Sequence, residues 1–148
     1  MSDAAPFPVL CDLDGVVWLS HRPIPGSVEA AARLRAAGHR VLFVTNNSFA
    51  TLAEHTEALE RIGIPAAGDV LSSASAAALL VRSGERVLVC GGPGIVEAVT
   101  SHGGVAVPGI GADGAAAERA GGPIDAVFVG FHRTFDYEVM RRALAAVQ

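Results

Sequence analysis

Two carboxylates one residue apart stand near the start of the chain, in Asp12-Leu13-Asp14-Gly15. They follow a short apolar run, Phe7 to Cys11, that reads as a buried strand. Side chains at i and i+2 of a strand point the same way, so the spacing predicts that both carboxylates leave a sheet together at its C-terminal edge. Ligands of open parallel sheets bind at that edge. Two adjacent carboxylates repel unless a cation or a shared proton offsets their charge. Mg2+ is the natural cation for an oxygen-only site beside a phosphate. Gly15 lets the backbone turn sharply and approach a ligand. A second group, Thr45-Asn46-Asn47-Ser48, follows a second apolar run, Val41 to Val44. A hydroxyl and backbone N–H groups can hold phosphate oxygens.

Each group also has a plainer reading. Asp and Gly are common turn formers after a strand, and TNNS alone reads as a turn with a helix cap. A calcium hand does not fit, because that loop needs Gly sixth and Glu twelfth. Counted from Asp12, Gly15 is fourth and Pro23 is twelfth. Cys11 is a weak alternative nucleophile, since no His or other base follows nearby. Gly91-Gly92-Pro93-Gly94 follows a strand and opens a helix, as a dinucleotide-binding turn does, but it lacks the GxGxxG spacing. A simple strand–helix turn is the alternative. Arg133 could face a substrate or lie solvated in its loop. The five His residues show no ligand spacing, so no zinc site is assigned.

The elements that must position these residues alternate. The pattern predicts strands at 7–11, 41–44, 86–90 and 126–129, and a short one at 105–107. It predicts helices at 27–37 (capped by Ser27, stopped by Gly38), 51–62, 74–81 and 95–101, and a last one opened by Asp136. Residues 15–26 read as a turn-rich loop that includes Trp18. Residues 109–122 read as a Gly/Ala-rich connection with one helical turn. Strand–helix–strand alternation predicts a parallel sheet of α/β class. The acids and Thr45 then end adjacent parallel strands, separated by one strand–helix–strand unit.

Composition agrees with a folded core. Hydrophobic residues make up 51% of 148, which excludes a disordered chain. The net charge of -4 disfavours a nucleic-acid partner. Cys11 and Cys90 each end an apolar run and are expected as buried reduced thiols. The N-terminal MSDAAPFPVL has no basic region and no long apolar stretch. A cytoplasmic protein without signal peptide or membrane span is the expectation. All eleven basic residues are Arg, and no Lys is present.

DLDGVVW, then PIPG, then RVLFVTNNS resembles the haloacid dehalogenase-like (HAD) hydrolase superfamily. The likeness is to subgroup IIA, that of 4-nitrophenyl-, phosphoglycolate- and glycerol-phosphate phosphatases. The resemblance is strong over 9–63 and weaker through VLSSASAAALL, RVLVCGG and DAVFVGF. It implies a Mg2+-dependent phosphatase of small phosphomonoesters. Asp12 would be the nucleophile that becomes an aspartyl phosphate, and Asp14 the general acid and base. Asp12 and Asp14, the latter through its backbone carbonyl, would bind Mg2+. Gly15, Thr45 and Asn46 would bind phosphate. It implies a Rossmann-like core, of which 1–71 would be the N-terminal half, and an inserted α/β cap beginning at 72–148. The implied partner is a small phosphorylated metabolite, with homo-oligomerisation through the cap as an option.

The chain departs from the family pattern in its later motifs. A third-motif Lys or Arg and a fourth-motif GDxxxTD are not recognisable, and Asp113, Asp125 and Asp136 do not follow an apolar strand in that pattern. The missing parts are expected beyond residue 148. A catalytically incomplete fragment is therefore the second reading. A Rossmann-type nucleotide-binding module on residues 86–102 is the third.

Overall fold

The structure, a computed structural model, describes residues 6–109, 121–134 and 136–148. The chain divides into two compact units, Met1–Asn46 with Leu52–Ser72, and Asn47–Thr51 with Ser73–Gln148. Each carries a three-stranded parallel sheet, so the class is α/β with Rossmann-like sheets.

The first unit contains β1 (Val9–Asp12), a hairpin of β2 (Trp18–Leu19) and β3 (Arg22–Pro23), α1 (Ser27–Ala36), β4 (Val41–Thr45), α2 (Leu52–Arg61) and β5 (Val70–Ser72). Its sheet order is β1-β4-β5. Both helices stop where glycine permits a left-handed residue. After α1, Gly38 has φ +90 and the His39 N–H donates to the Leu34 carbonyl at 3.1 Å. After α2, Gly63 has φ +92 and the Ile64 N–H donates to the Leu59 carbonyl at 2.9 Å. These bonds satisfy carbonyls that the helix end leaves open. Ala31 of α1 and Ala58 and Leu59 of α2 pack with Val41, Phe43 and Val70 in one core. Both helices thus cover the same face. Register puts Leu10 beside Leu42 and Val44 beside Leu71 on the opposite face, where Leu10 is 68% and Leu71 46% exposed. The first strand is therefore half-buried on one face, through Val9 and Cys11, and exposed on the other, a departure from the buried strand and the buried Cys11 expected.

The second unit contains α3 (Ser73–Ala78), β6 (Arg86–Cys90), α4 (Pro93–Ser101), β7 (Val105–Pro108), β8 (Ala126–Val129) and α5 (Tyr137–Ala146), with sheet order β7-β6-β8. Central β6 is buried on both faces, which accounts for its unbroken apolar run. Val87 and Val89 pack with Ala74, Ile95 and Val99. Leu88 and Cys90 pack with Val107 and with Val139 of α5. Asp136 opens α5 as expected, its carboxylate accepting the Val139 N–H at 2.9 Å. Buried Arg142 donates to the Gly109 carbonyl at 2.9 Å and the Pro108 carbonyl at 3.2 Å, tying α5 to the end of β7.

Other expectations shift. Ser27 does not cap α1: Gly26, at φ +86, holds that position, and the Ser27 hydroxyl donates to the Val17 carbonyl at 2.9 Å. The turn-rich loop contains the β2–β3 hairpin, with Ser20 (φ +48) and His21 (φ +62) as its two turn residues. Two-residue hairpins demand such positive φ values. Strand β5 was not expected. Residues 110–120, most of the Gly/Ala-rich connection, lie outside the described residues. No helix among the described residues is long and apolar enough to cross a membrane.

Candidate active site

Asp12 is the last residue of β1, and Thr45 is the last of the adjacent β4. Asp12 pairs in register with Val44, so the ends of the two strands lie side by side. The sheet does not carry Asp14 on the same footing as Asp12. The strand stops, and the N–H groups of Val17 and Trp18 both donate to the Leu13 carbonyl, at 3.0 and 3.1 Å. Asp14 therefore lies in a tight turn, and the i, i+2 strand geometry expected of the pair does not extend to it. The two carboxylates take different partners. An Asp12 oxygen accepts the Leu13 N–H at 2.9 Å. Asp14 Oδ1 accepts the indole N–H of Trp18 at 3.0 Å, and Asp14 Oδ2 lies 3.5 Å from the Thr45 hydroxyl. Both acids are exposed, whereas Thr45 and Trp18 are buried.

Gly15, at φ +89, supplies the left-handed residue of this turn. Its N–H donates to the Trp18 carbonyl at 2.8 Å. Asn46 follows Thr45 and is exposed. Across the next strand pair, Thr45 is in register with Ser72, also buried, at the end of β5. Asp12, Asp14, Gly15, Thr45 and Asn46 all belong to the first unit.

The rest of the TNNS segment has another task. Asn47 to Thr51 belongs to the second unit. There the buried Ser48 hydroxyl accepts the Phe131 N–H at 2.9 Å. The Phe49 ring meets Phe131 edge-on, with centroids 5.9 Å apart, and Arg133 stacks on Phe49 at 4.6 Å. The Gly91–Gly94 turn closes on this segment. A Cβ at Gly92 would lie 2.4 Å from the Phe49 ring, and one at Gly94 would lie 2.2 Å from the Ala50 carbonyl oxygen. The Gly94 N–H donates to the Phe49 carbonyl at 2.8 Å. The glycines accommodate the chain's own backbone, which removes the ground for a nucleotide-binding turn at 86–102. Arg133, weighed as substrate-facing or solvated, lies over an aromatic ring.

Cys11 and Cys90 are both free thiols. Burial pushes the Cys11 thiol up, and the neighbouring Asp12 carboxylate adds to the rise. A raised thiol holds less thiolate, which argues against Cys11 as a nucleophile. Among the described residues no three His, Cys, Asp or Glu side chains gather as a ready metal cage. The exposed oxygens of Asp12 and the Asp14 segment are nonetheless a hard-oxygen donor set. They fit Mg2+, which binds through one or two carboxylates and keeps water and phosphate as its other ligands.

Residues 9–104 match the family model described as haloacid dehalogenase-like hydrolase. The chain belongs to that family. As a member of the haloacid dehalogenase-like hydrolases, it is 36% identical over 152 residues to glycerol-3-phosphate phosphatase of Gallus gallus. That match covers 92% of this chain and 48% of the relative. Among solved structures it resembles a hypothetical protein from Pyrococcus horikoshii, with a TM-score of 0.80 and 28% identity, over 97% of this chain and 54% of that one. It also resembles glycerol phosphate phosphatase from Mycobacterium tuberculosis in complex with magnesium, with a TM-score of 0.75 and 28% identity, over 95% of this chain and 40% of that one. This haloacid dehalogenase-like chain spans about half the length of the curated relatives it matches.

Trp18 is the residue that sequence reasoning undervalued. The sequence reading puts it in the turn-rich loop with no role at the site, yet its indole N–H reaches Asp14. The available signal was its spacing: four residues after Asp14, at the start of a hairpin that turns back.

Proposed function

We propose that the first unit carries the nucleophile side of a phosphomonoesterase site, acting on small phosphomonoesters of the glycerol, glycolate or sugar phosphate type. The observation that carries this reading is that Asp12 and Thr45 end adjacent parallel strands, with Asp14 in the turn just beyond Asp12 and its Oδ2 3.5 Å from the Thr45 hydroxyl. The relative named glycerol-3-phosphate phosphatase supports the substrate class. Asp12 attacks phosphorus and becomes the aspartyl phosphate as the ester P–O bond breaks. Asp14 gives its proton to the leaving oxygen, then takes one from the water that attacks the intermediate. Inorganic phosphate leaves and both acids are restored. The Thr45 hydroxyl donates to a phosphoryl oxygen, and Asn46 assists beside it. The Asp12 carboxylate and the Asp14 backbone carbonyl would hold Mg2+, which supplies charge neutralisation for the phosphoryl oxygens. The change of unit at Ser72–Ser73, and the separate sheet that follows, support reading 1–71 as half of a catalytic core and 72–148 as the beginning of an inserted cap.

Asp12→Asn tests the nucleophile at nearly constant volume. It is expected to abolish turnover of p-nitrophenyl phosphate while thermal unfolding stays cooperative. Turnover that survives the substitution at a substantial fraction of the original would sink the aspartyl-phosphate reading. Turnover is likewise expected to require Mg2+ and to stop in excess EDTA.

The chain contains no Lys to neutralise a phosphoryl oxygen. That composition favours a second statement, about rate: the 148-residue chain is expected to be slow. One lost preorganised charge typically costs about 10²–10³ in rate. An assay beside glycerol-3-phosphate phosphatase of Gallus gallus checks this, and equal rates would overturn it.

A further inference from the structure

Trp18 is 1% exposed and its indole N–H points at one oxygen of Asp14, Oδ1, at 3.0 Å. Its backbone is fixed as firmly as its ring. The Trp18 N–H donates to the Leu13 carbonyl at 3.1 Å, and the Trp18 carbonyl accepts the Gly15 N–H at 2.8 Å. These bonds straddle Asp14 in sequence, so the ring and the carboxylate belong to one closed turn. Beyond the ring, His21 packs edge-on against Trp18 with centroids 5.0 Å apart. His21 holds φ +62 in the hairpin turn that brings it there.

An indole nitrogen is a donor only. The oxygen it touches must remain an acceptor in both protonation states of Asp14. The carbonyl-type oxygen of a protonated carboxyl is the better acceptor, so the indole bond favours a proton on Oδ2. That oxygen lies 3.5 Å from the Thr45 hydroxyl, the group proposed to hold phosphate. We infer that Trp18 is a positioning residue: it occupies Oδ1 of Asp14 and so directs Oδ2 toward the bound phosphomonoester as the oxygen that exchanges the proton. The inference rests on the acid/base role proposed for Asp14. In the first step the Asp14 Oδ2 proton passes to the ester oxygen as the bond from Asp12 to phosphorus forms and the ester P–O bond breaks. In the second step the water oxygen bonds to phosphorus, one of its protons returns to Oδ2, and the Asp12–phosphorus bond breaks to release phosphate. Trp18 keeps its own proton throughout.

The plainer account is that a buried indole N–H needs an acceptor and Asp14 is the one at hand. Under that account the bond serves stability alone, so the test needs a readout that stability does not move. Replacing Trp18 by 3-benzothienylalanine puts sulfur where the N–H was and keeps the ring shape. Leaving-group dependence is the readout. p-Nitrophenolate departs without help from an acid, whereas the alkoxide of glycerol phosphate needs one. kcat/KM reports the first step, in which the leaving group is expelled. With the sulfur analogue, kcat/KM for glycerol phosphate is expected to fall about tenfold more than for p-nitrophenyl phosphate, a part of the usual contribution of a general acid. Equal losses on both substrates, or no loss, would overturn the inference. Trp18→Phe should reproduce the discrimination, with added loss of stability from its smaller ring.

Asp14→Asn separates the two levels of the argument. If it fails to penalise glycerol phosphate selectively, the acid role itself falls. If it does so and the Trp18 analogue does not, only the positioning role falls. A measurement without turnover tests the bond directly. Trp18 is the single tryptophan of the chain, so one indole N–H resonance reports on it. That resonance is expected to move upfield and exchange faster with solvent in Asp14→Ala, and an unchanged resonance would overturn the inference.

Discussion

Each of the two units holds a three-stranded parallel sheet, yet they treat their surfaces in opposite ways. In the second unit the sheet β7-β6-β8 is covered on both faces, by α3 and α4 on one and by α5 on the other. In the first, α1 and α2 share one face of β1-β4-β5, and the face bearing Leu10 and Leu71 is exposed. Purely parallel sheets are normally covered on both sides. The second unit meets that condition with its own helices. The first unit, which holds the candidate acids, does not meet it with the elements described. Leu10 and Leu88 express the difference at the level of one side chain. Both are strand leucines whose sheet neighbours are apolar, but Leu10 is 68% exposed and Leu88 0%.

The largest expected effect comes from substituting that pair. Leu88→Ala should cost about 2–5 kcal/mol, as buried leucines do. Leu10→Ala should stay within about 0.5 kcal/mol, as exposed positions do. Urea unfolding of both variants measures this. A large loss at Leu10 would break the comparison, since it would mean that the open face is covered in solution.

The glycine slot of the second unit gives the next effect. Gly92→Ala brings a methyl into the Phe49 backbone and ring, which lie 2.6 and 2.4 Å from an added Cβ. Overpacking of that kind costs about 1–3 kcal/mol. Gly15→Ala in the first unit meets nothing within 4 Å, and its expected loss comes from positive φ alone. Thermal unfolding of the two variants separates crowding from backbone strain. A smaller loss at Gly92 than at Gly15 would show that the 47–51 segment gives way.

Such contrasts mark where the sequence was readable. Strands β4, β6 and β8 announced themselves as apolar runs, and Asp136 and Gly38 announced helix ends, because each signal is local. Strand β5 has three residues and runs straight into α3, so no alternation could reveal it. The β2–β3 hairpin turns on Ser20 and His21 instead of Asn-Gly, and its strands are two residues each. Ser27 looked like a cap, but tertiary structure gave its hydroxyl another acceptor in Val17. At the candidate site, DxDG and Thr45 were legible from type and spacing. The turn that separates Asp14 from strand geometry was not, nor was the indole bond. Both depend on a hairpin that closes back onto the loop. The GGPG turn invited a nucleotide reading because its true occupant, Phe49, lies far away in sequence.

Helix α5 is the layer that distinguishes the two sheets, so weakening it should move the second unit toward the condition of the first. Asp136→Ala removes the acceptor for the Val139 N–H. It should cost about 1 kcal/mol, the usual loss of a side-chain cap. Amide exchange should rise first in α5 and not in α4. Uniform exchange across the second unit would show that α5 does not open alone.

The smallest effect concerns the exposed face of the same helix. Arg141 grips Glu138 with a fork of two bonds, at 2.6 and 3.0 Å. The hydrogen bond from Arg141 holds the Glu138 carboxyl below its ordinary value against an opposing desolvation, and the charges of Arg141 and Arg142 add smaller lowering contributions. A carboxyl whose folded value is depressed contributes stability above its unfolded value and loses it as pH falls through the folded one. The contribution of this pair is thus present at neutral pH and disappears in acid. Both side chains are more than half exposed, so salt should screen it as well. Glu138→Gln is expected to lower Tm slightly at neutral pH and low salt. The difference from the unsubstituted chain should close as pH falls through the carboxylate range, and close again when salt is raised at neutral pH. A difference that persists in acid would mean that Glu138 acts on α5 through packing or helix propensity, and the ion pair would have no part in holding the outer layer of the second sheet.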